Sequence, residues 1–239
     1  MKTYVIAPTL HRFAHASGLS TRLARRQRAP RIISYHGVTR AAAPRFAAQI
    51  RYLMRHFSIV PLRAIVDRIV AGVAPDPEMV ALTFDDGLRN NRAVVYPILE
   101  QLGATATFFV CPGLIDARRW LWEHEVRERM GSLAPVRRAA LERSAGKPAG
   151  ASIGIVDWMK TLPAAARRDV ENVVRAATPA FTPGPAERER CDLMTWDDLA
   201  ALDPRVVEIG SHTVTHAMLP ALGPVDVMTE IEEIGRAHV

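Results

Sequence analysis

Apolar residues along the chain follow two periods. Short apolar runs occur at Arg31–Tyr35, Ser58–Val60, Met79–Phe84, Thr105–Val110 and Val206–Gly210, and their brevity and their β-branched and aromatic content predict strands. Between them the spacing becomes helical. Phe46, Ile50, Leu53, Met54 and Phe57 share one face of a helix predicted over Arg45–Phe57, and further helices are predicted over Leu62–Ala71 and Arg92–Leu102, the second stopped by Gly103. Strand alternating with helix predicts an α/β domain with a largely parallel sheet. In such folds the carboxyl ends of the strands build the site. Those ends are where the chain places His36, the pair Asp85-Asp86, and the His-x-x-x-His of His212 and His216.

After Val110 the rhythm breaks. Helical patterns over Arg118–Met130, Pro135–Ser144, Ile155–Thr161 and Ala164–Ala176 are separated by pieces rich in Gly and Pro, including Pro179, Pro183 and Pro185. This stretch, about residues 111–193, is read as a mainly helical insertion that forms a cap beside the site. Thr195 with Asp198 three residues on is an imperfect capping box for a helix running to Leu202. A last helix is predicted from about Val225, and no internal repeat is evident.

Composition narrows the class. A chain of 239 residues, 49% hydrophobic and 23% charged, is globular and long enough for one large domain or two small ones. No apolar run approaches the roughly 18–20 residues of a membrane-spanning helix. Met1–Ala16 lacks a continuous apolar core of the kind a signal peptide needs, so the expected location is the cytoplasm or a membrane periphery. Two cysteines, Cys111 and Cys191, rule out a disulfide framework and a cysteine-based zinc site; both are read as small core or loop residues. The net charge of +6 hides an asymmetry: residues 1–66 carry twelve Lys and Arg and no acidic residue. Residues 1–30 are therefore read as a basic arm with at most a short helix over Ser20–Gln27, ahead of one domain over 31–239. Residues 1–66 suit peripheral contact with an anionic membrane, although a solvated basic face is the simpler reading. No motif for nucleic acid accompanies the charge, and nucleic acid is not expected as a partner.

The strand-end residues suggest a metal centre. Histidines four apart lie on one face of a helical turn, so both imidazoles reach one ion. Two histidines and one carboxylate leave coordination positions open for water and substrate, as in catalytic rather than structural sites. One aspartate of the pair serves as ligand while the other stays free as general base.

These same residues carry a resemblance. Thr83-Phe84-Asp85-Asp86-Gly87 and Ser211-His212-Thr213-Val214-Thr215-His216 are similar to the first two motifs of the polysaccharide deacetylases, the NodB-like carbohydrate esterases of family 4. Ile33–Val38, Ala106–Val110 and Met194–Asp197 resemble the flanking strands and segment, so that the likeness covers about residues 31–110 and 194–234. It implies a distorted (β/α) barrel of about seven strands and metal-dependent removal of N-acetyl groups from an amino-sugar polymer or oligosaccharide. Carried over by position, Asp85 matches the base, and Asp86, His212 and His216 match the ligands of a divalent metal, with Zn2+ the first expectation. The family's later motifs, among them a Leu-x-His that supplies the leaving-group acid, are not found after His216. Only about five strands are predicted, so the expectation is a barrel incomplete at its C-terminus. His36 resembles the acid histidine of one branch, with a structural histidine as the equal alternative. Two further readings stay open: a carbohydrate O-acetyl esterase on the same scaffold, and a truncated, non-catalytic remnant.

Three candidates are set aside. His11 and His15 repeat the His-x-x-x-His spacing without a carboxylate. His124-Glu125 and Glu128 lack the second histidine of a zincin motif and are read as the exposed face of a helix. Trp120, Trp122 and Trp158 are able to stack on sugar rings, but their spacing is that of core residues.

Overall fold

The structure, a computed structural model, describes residues 29–232. The basic arm up to residue 28, with the expected Ser20–Gln27 helix and the His11/His15 pair, lies outside the described residues. Strand β1 (Arg31–Tyr35) leads into α1 (Ala43–His56), β2 (Ser58–Ile59), α2 (Leu62–Val70) and β3 (Met79–Phe84). A wide helical turn, Asn91–Val95, opens α3 (Tyr96–Leu102), and β4 (Ala106–Val110) follows. Among the described residues all pairings between strands are parallel: β1, β3, β4 and β5 (Val207–Ser211) lie in that order and β2 pairs with β3. The predicted α/β class with a parallel sheet is what the chain adopts, and the five strands among the described residues are those read from the sequence.

Glycine stops α3 as expected. Gly103 sits at φ +66°, a left-handed conformation without penalty for a residue lacking Cβ. The capping box also forms, with the Asp198 amide donating to Thr195 Oγ1 and the Thr195 amide to Asp198 Oδ2.

Phe84, the last residue of β3, is fully buried. It stacks on Tyr35 of β1 with ring centroids 5.1 Å apart and meets the edges of Phe46 of α1 and Phe108 of β4 at 5.8 and 5.3 Å. Each such pair contributes about 0.5–1.5 kcal/mol beyond area burial. The strand end that carries Asp85 and Asp86 is thus gripped by both neighbouring strands and a covering helix.

Between β4 and β5 run α4 (Pro112–Asp116), α5 (Trp122–Gly131), α6 (Pro135–Ser144), α7 (Ile155–Met159), α8 (Ala164–Ala177), α9 (Pro185–Cys191) and α10 (Trp196–Ala200). The expected helix over Arg118–Met130 begins later, at Trp122, because Arg118 takes φ +49° and turns the chain first. A second apolar core belongs to these helices: Trp122, Val126 and Met130 of α5 pack with Leu141, Ile155, Met159, Val170 and Val174. Trp122 is buried there with the Arg167 guanidinium over its ring, and Trp158 is half-buried against the same cluster. The helix α11 (Pro224–Glu232) ends the described chain. No helix among the described residues is long and apolar enough to cross a membrane.

An ion network ties α5 to α8. Glu125 accepts from Arg175 at 3.0 and 2.8 Å and from Arg129 at 2.9 Å, while Arg175 also reaches Glu171 at 3.2 Å. Burial pushes the Glu125 carboxyl up, but the two guanidiniums outweigh it and hold its pKa below the ordinary value. Glu125→Ala strands two arginines and is expected to destabilise by about 2 kcal/mol, less than a fully buried pair because Arg175 keeps contact with water. A depressed carboxylate stabilises fully above its unfolded pKa of about 4.3 and loses that contribution as pH falls through the folded value. The difference in denaturant midpoint between wild type and Glu125→Ala should therefore hold at pH 7 and shrink below about pH 4.

Candidate metal centre

The carboxyl ends of β3, β4 and β5 meet over a small volume. After Phe84 the chain turns at once: Asp86 takes φ +75° and Gly87 φ +67°. A side chain at Gly87 would come within 3.1 Å of Val110, so glycine serves both the turn and the contact with β4. Asp86 is thereby driven inward and is 1% exposed. Asp85 points the other way, half-exposed, with its amide donating to the Tyr35 carbonyl and its Oδ2 accepting from the Ser34 hydroxyl at 2.8 Å.

The histidines arrive on a loop. His212 follows β5 directly, and its amide donates to the Val110 carbonyl. The expected helical turn is absent: residues 212–218 form no helix, and Thr213 and His216 take φ +63° and +57°. These two left-handed residues fold the loop back on itself, so that the imidazoles converge without helical spacing, with ring centroids 5.1 Å apart. Three contacts hold the loop. The Gly113 amide donates to the Val214 carbonyl at 2.9 Å, a distance open only to glycine, because a Cβ there would sit 2.9 Å from that same oxygen. Glu230 of α11 accepts from the Thr215 amide and hydroxyl, and Met218 packs on the helical core.

Asp86 Oδ1 lies 3.3 Å from His216 Nε2 and 3.7 Å from His212 Nε2. Two ligands about 2.0–2.1 Å from one tetrahedral ion are separated by about 3.3–3.4 Å, so the spacing suits a shared cation. The chemistry agrees: one ligand atom from each of the three residues lies within 4.8 Å of the others, and Asp86 Oδ1 is buried without a hydrogen bond, a costly state for a carboxylate oxygen unless a cation faces it. The residues present fit a divalent ion with two imidazoles and one carboxylate.

A carboxylate from the helix whose His124–Glu128 face reads as exposed in the sequence stands behind this cluster. Glu123 of α5, its side chain 15% exposed, puts Oε2 3.5 Å from His216 Nδ1. None of Trp122, Glu123, His124 or Glu125 is exposed, because α5 lies between the strand ends and α8 rather than on the surface. His124 is half-buried, and its Nδ1 has no hydrogen-bond partner among the described residues. The acidic Trp-Glu-His-Glu run was the available signal, but its separation from His216 along the chain concealed the contact. Ser34 was likewise missed.

The electrostatics follow. Burial lowers the His216 pKa, but the carboxylates of Asp86 and Glu123 beside it prevail and lift it to about 9. Burial raises Asp86 and Glu123 in turn, and the charged His216 reverses the sign and holds both below the carboxylate range. His212 is pushed down by burial and by His216, and His124 by burial. His36, exposed just beyond β1, adds its charge to the field on Asp86 and His212. Cys111 and Cys191 are free, buried thiols, both raised by burial, Cys191 to about 12; both lie in the core, one of the two places expected for them. Trp120, half-buried, donates its indole N–H to Asp192 at 2.8 Å.

Residues 72–146 match the family model for polysaccharide deacetylase. That match covers about a third of the chain. The matched segment holds Asp85, Asp86 and Glu123, while His212 and His216 lie beyond it. Solved structures similar to this chain include the Streptococcus pyogenes deacetylase PplD in complex with acetate, at 16% identity over 86% of this chain and 65% of that one, with a TM-score of 0.49. A de-N-acetylase from Aggregatibacter actinomycetemcomitans matches at 19% identity over 77% of this chain and 54% of its own, TM-score 0.43. The deacetylase domain of BpsB from Bordetella bronchiseptica matches at 19% over 77% and 55%, TM-score 0.40. The chain thus spans just under two thirds of the length of the first and just over half of the other two. No curated protein matches it in sequence.

In chelator-treated protein, His216 should keep its proton until about pH 9. The stabilisation this raised group provides is complete below its ordinary value of about 6.5 and is lost as pH rises through about 9. The imidazole resonances, followed by NMR against pH, check the value. Asp86→Asn should lower the His216 midpoint by about a unit or more.

Proposed function

We propose that this chain is a member of the polysaccharide deacetylases and a metal-dependent hydrolase that removes N-acetyl groups from an amino-sugar polysaccharide or oligosaccharide. The observation that carries the reading is the convergence of Asp86 Oδ1, His212 Nε2 and His216 Nε2 at two strand ends, with the half-exposed Asp85 beside them. The family match supports deacetylation.

In this reading Asp86, His212 and His216 hold the ion, with Zn2+ the first candidate for a site of two imidazoles and a carboxylate. A bound divalent ion polarises the acetyl carbonyl and makes a water acidic near neutral pH. Asp85 accepts the proton of that water. Its Oδ2 is oriented by the Ser34 hydroxyl, which fixes the carboxylate plane. Buried Asp86 and half-exposed Asp85 suit the two tasks, one carboxylate committed to a cation and one open to solvent and substrate. As water oxygen bonds to the carbonyl carbon and the C–N bond breaks, the leaving amine takes up a proton and acetate departs. His36, exposed at the end of β1 next to the strand of Asp85, is the proposed donor of that proton. An ester of the same acyl group would meet the same machinery, which makes O-deacetylation the second reaction to assay. Residues 1–66, rich in arginine, are proposed to meet an anionic membrane surface.

Protein loaded with Zn2+ should release acetate from N-acetylglucosamine oligomers. Asp85→Asn should lower turnover by about 10²–10⁴-fold while the ion stays bound, and His212→Ala should lose both ion and turnover. Metal content by elemental analysis and acetate release by a coupled assay read the two separately. Unchanged turnover in His212→Ala would overturn the metal site, and faster release from O-acetylated than from N-acetylated oligomers would move the assignment to the esterase.

A further inference from the structure

The helical segment between β4 and β5 reaches the strand ends at Glu123. Its carboxylate oxygen Oε2 lies 3.5 Å from Nδ1 of His216, the nitrogen turned away from Asp86, whose Oδ1 faces Nε2 at 3.3 Å. The imidazole is thus bracketed by two carboxylates, one on each nitrogen. His216 Nδ1 is buried and has no hydrogen-bond partner among the described residues. Glu123 supplies the only carboxylate shown beside it, and the remaining gap to a hydrogen bond of about 2.7–3.2 Å is a few tenths of an ångström.

We propose that Glu123 is a positioning residue for the metal centre: it accepts the Nδ1–H of His216, fixes the tautomer that leaves Nε2 free to ligate, and so makes ion affinity depend on the docking of α5. The inference rests on the reading of Asp86, His212 and His216 as ligands. A ligating imidazole that donates its other N–H to a carboxylate is a better base and is held in one orientation. Here the second carboxylate comes from a helix with its own anchors. Trp122, its immediate neighbour, is buried in the helical core, and Glu125, two residues on, is held by Arg175 and Arg129. Glu123 is therefore presented by a fixed helix rather than by a mobile loop. It sits in the first turn of α5, where a carboxylate is also favoured by the helix dipole.

The test is Zn2+ titration of chelator-treated protein by calorimetry, on wild type, Glu123→Gln, Glu123→Ala and His212→Ala, with the visible spectrum of the Co2+-loaded forms as a second readout. Glu123→Ala should weaken the ion by about 10–100-fold, and Glu123→Gln, which keeps the volume and an acceptor oxygen, should fall between it and wild type. Both should change the Co2+ absorption bands, a signature that a purely structural loss of helix packing does not produce in a variant of wild-type circular dichroism. If wild type binds no ion, or His212→Ala binds as wild type does, the ligand reading itself fails. If wild type binds, His212→Ala does not, and Glu123→Gln matches wild type in both affinity and Co2+ spectrum, the role of Glu123 is overturned while the metal site stands. Should Glu123→Ala fold poorly, Glu123→Gln alone decides.

Discussion

Much of this structure answers to one carboxylate. Asp86 is buried at the open end of a parallel sheet with an oxygen that no hydrogen bond satisfies. A charge there is tolerated only if positive charge surrounds it. His216, its pKa lifted to about 9 and its Nε2 3.3 Å away, supplies the nearest positive charge. The loop after β5 brings two imidazoles, β1 ends at His36, and the aromatic grip on Phe84 holds the strand end in register. The adjacent carboxylate of Asp85 escapes the constraint because a left-handed turn at Asp86 sends the two side chains in different directions. Chemically equivalent residues one position apart are thus given unlike environments, the usual route by which one carboxylate is committed to a cation and another is left to exchange protons.

The helices between β4 and β5 are part of the same device. Helices α5 to α8 possess an apolar core of their own, while α4 and α10 bury Ile115 and Leu199 in the core of the sheet. Three contacts join the segment to the His loop: Glu123 against His216, Gly113 under the Val214 carbonyl, and Met218 set into the helical core. A layer that folds around itself yet sets a carboxylate beside His216 couples its own position to that of the His loop. Glycine at 113 shows how tight the fit is, since even a methyl group would meet backbone oxygen at 2.9 Å.

The strands and most helices were legible because their signals are local. Met79–Phe84 is an uninterrupted apolar run, Phe46, Ile50 and Leu53 fall on one helical face, and Gly103 marks a stop that the backbone takes up at φ +66°. Asp86, His212 and His216 were legible as a group because each follows a buried strand, and parallel strands deliver their ends to one face. What failed was whatever depended on tertiary placement. Glu123 and His124 have the polarity of a surface helix, and only the docking of α5 between strand ends and α8 buries them. Ser34 is an ordinary strand residue until the register of β1 on β3 sets its hydroxyl against Asp85.

The His-x-x-x-His spacing is the instructive case, because the expected convergence of the imidazoles is present and the expected reason is not. Helical geometry would have brought positions four apart together at no backbone cost. Instead Thr213 and His216 occupy left-handed conformations, each costing about 1–3 kcal/mol for residues with a Cβ. Among the described residues only four non-glycines have positive φ, and three of them, Asp86, Thr213 and His216, belong to this cluster. Such strain persists where the surroundings over-determine the backbone. Here the surroundings are identifiable: the His212 amide on Val110, the Gly113 amide on Val214, Glu230 on Thr215, and Thr213 Oγ1 accepting from the Ala217 amide. A helical turn would have aligned the two histidines along its own axis, whatever lay opposite. The strained loop aims both Nε2 atoms at Asp86, and the cost of its backbone is the physical reason to read the cluster as a built site rather than as three polar residues that happen to meet.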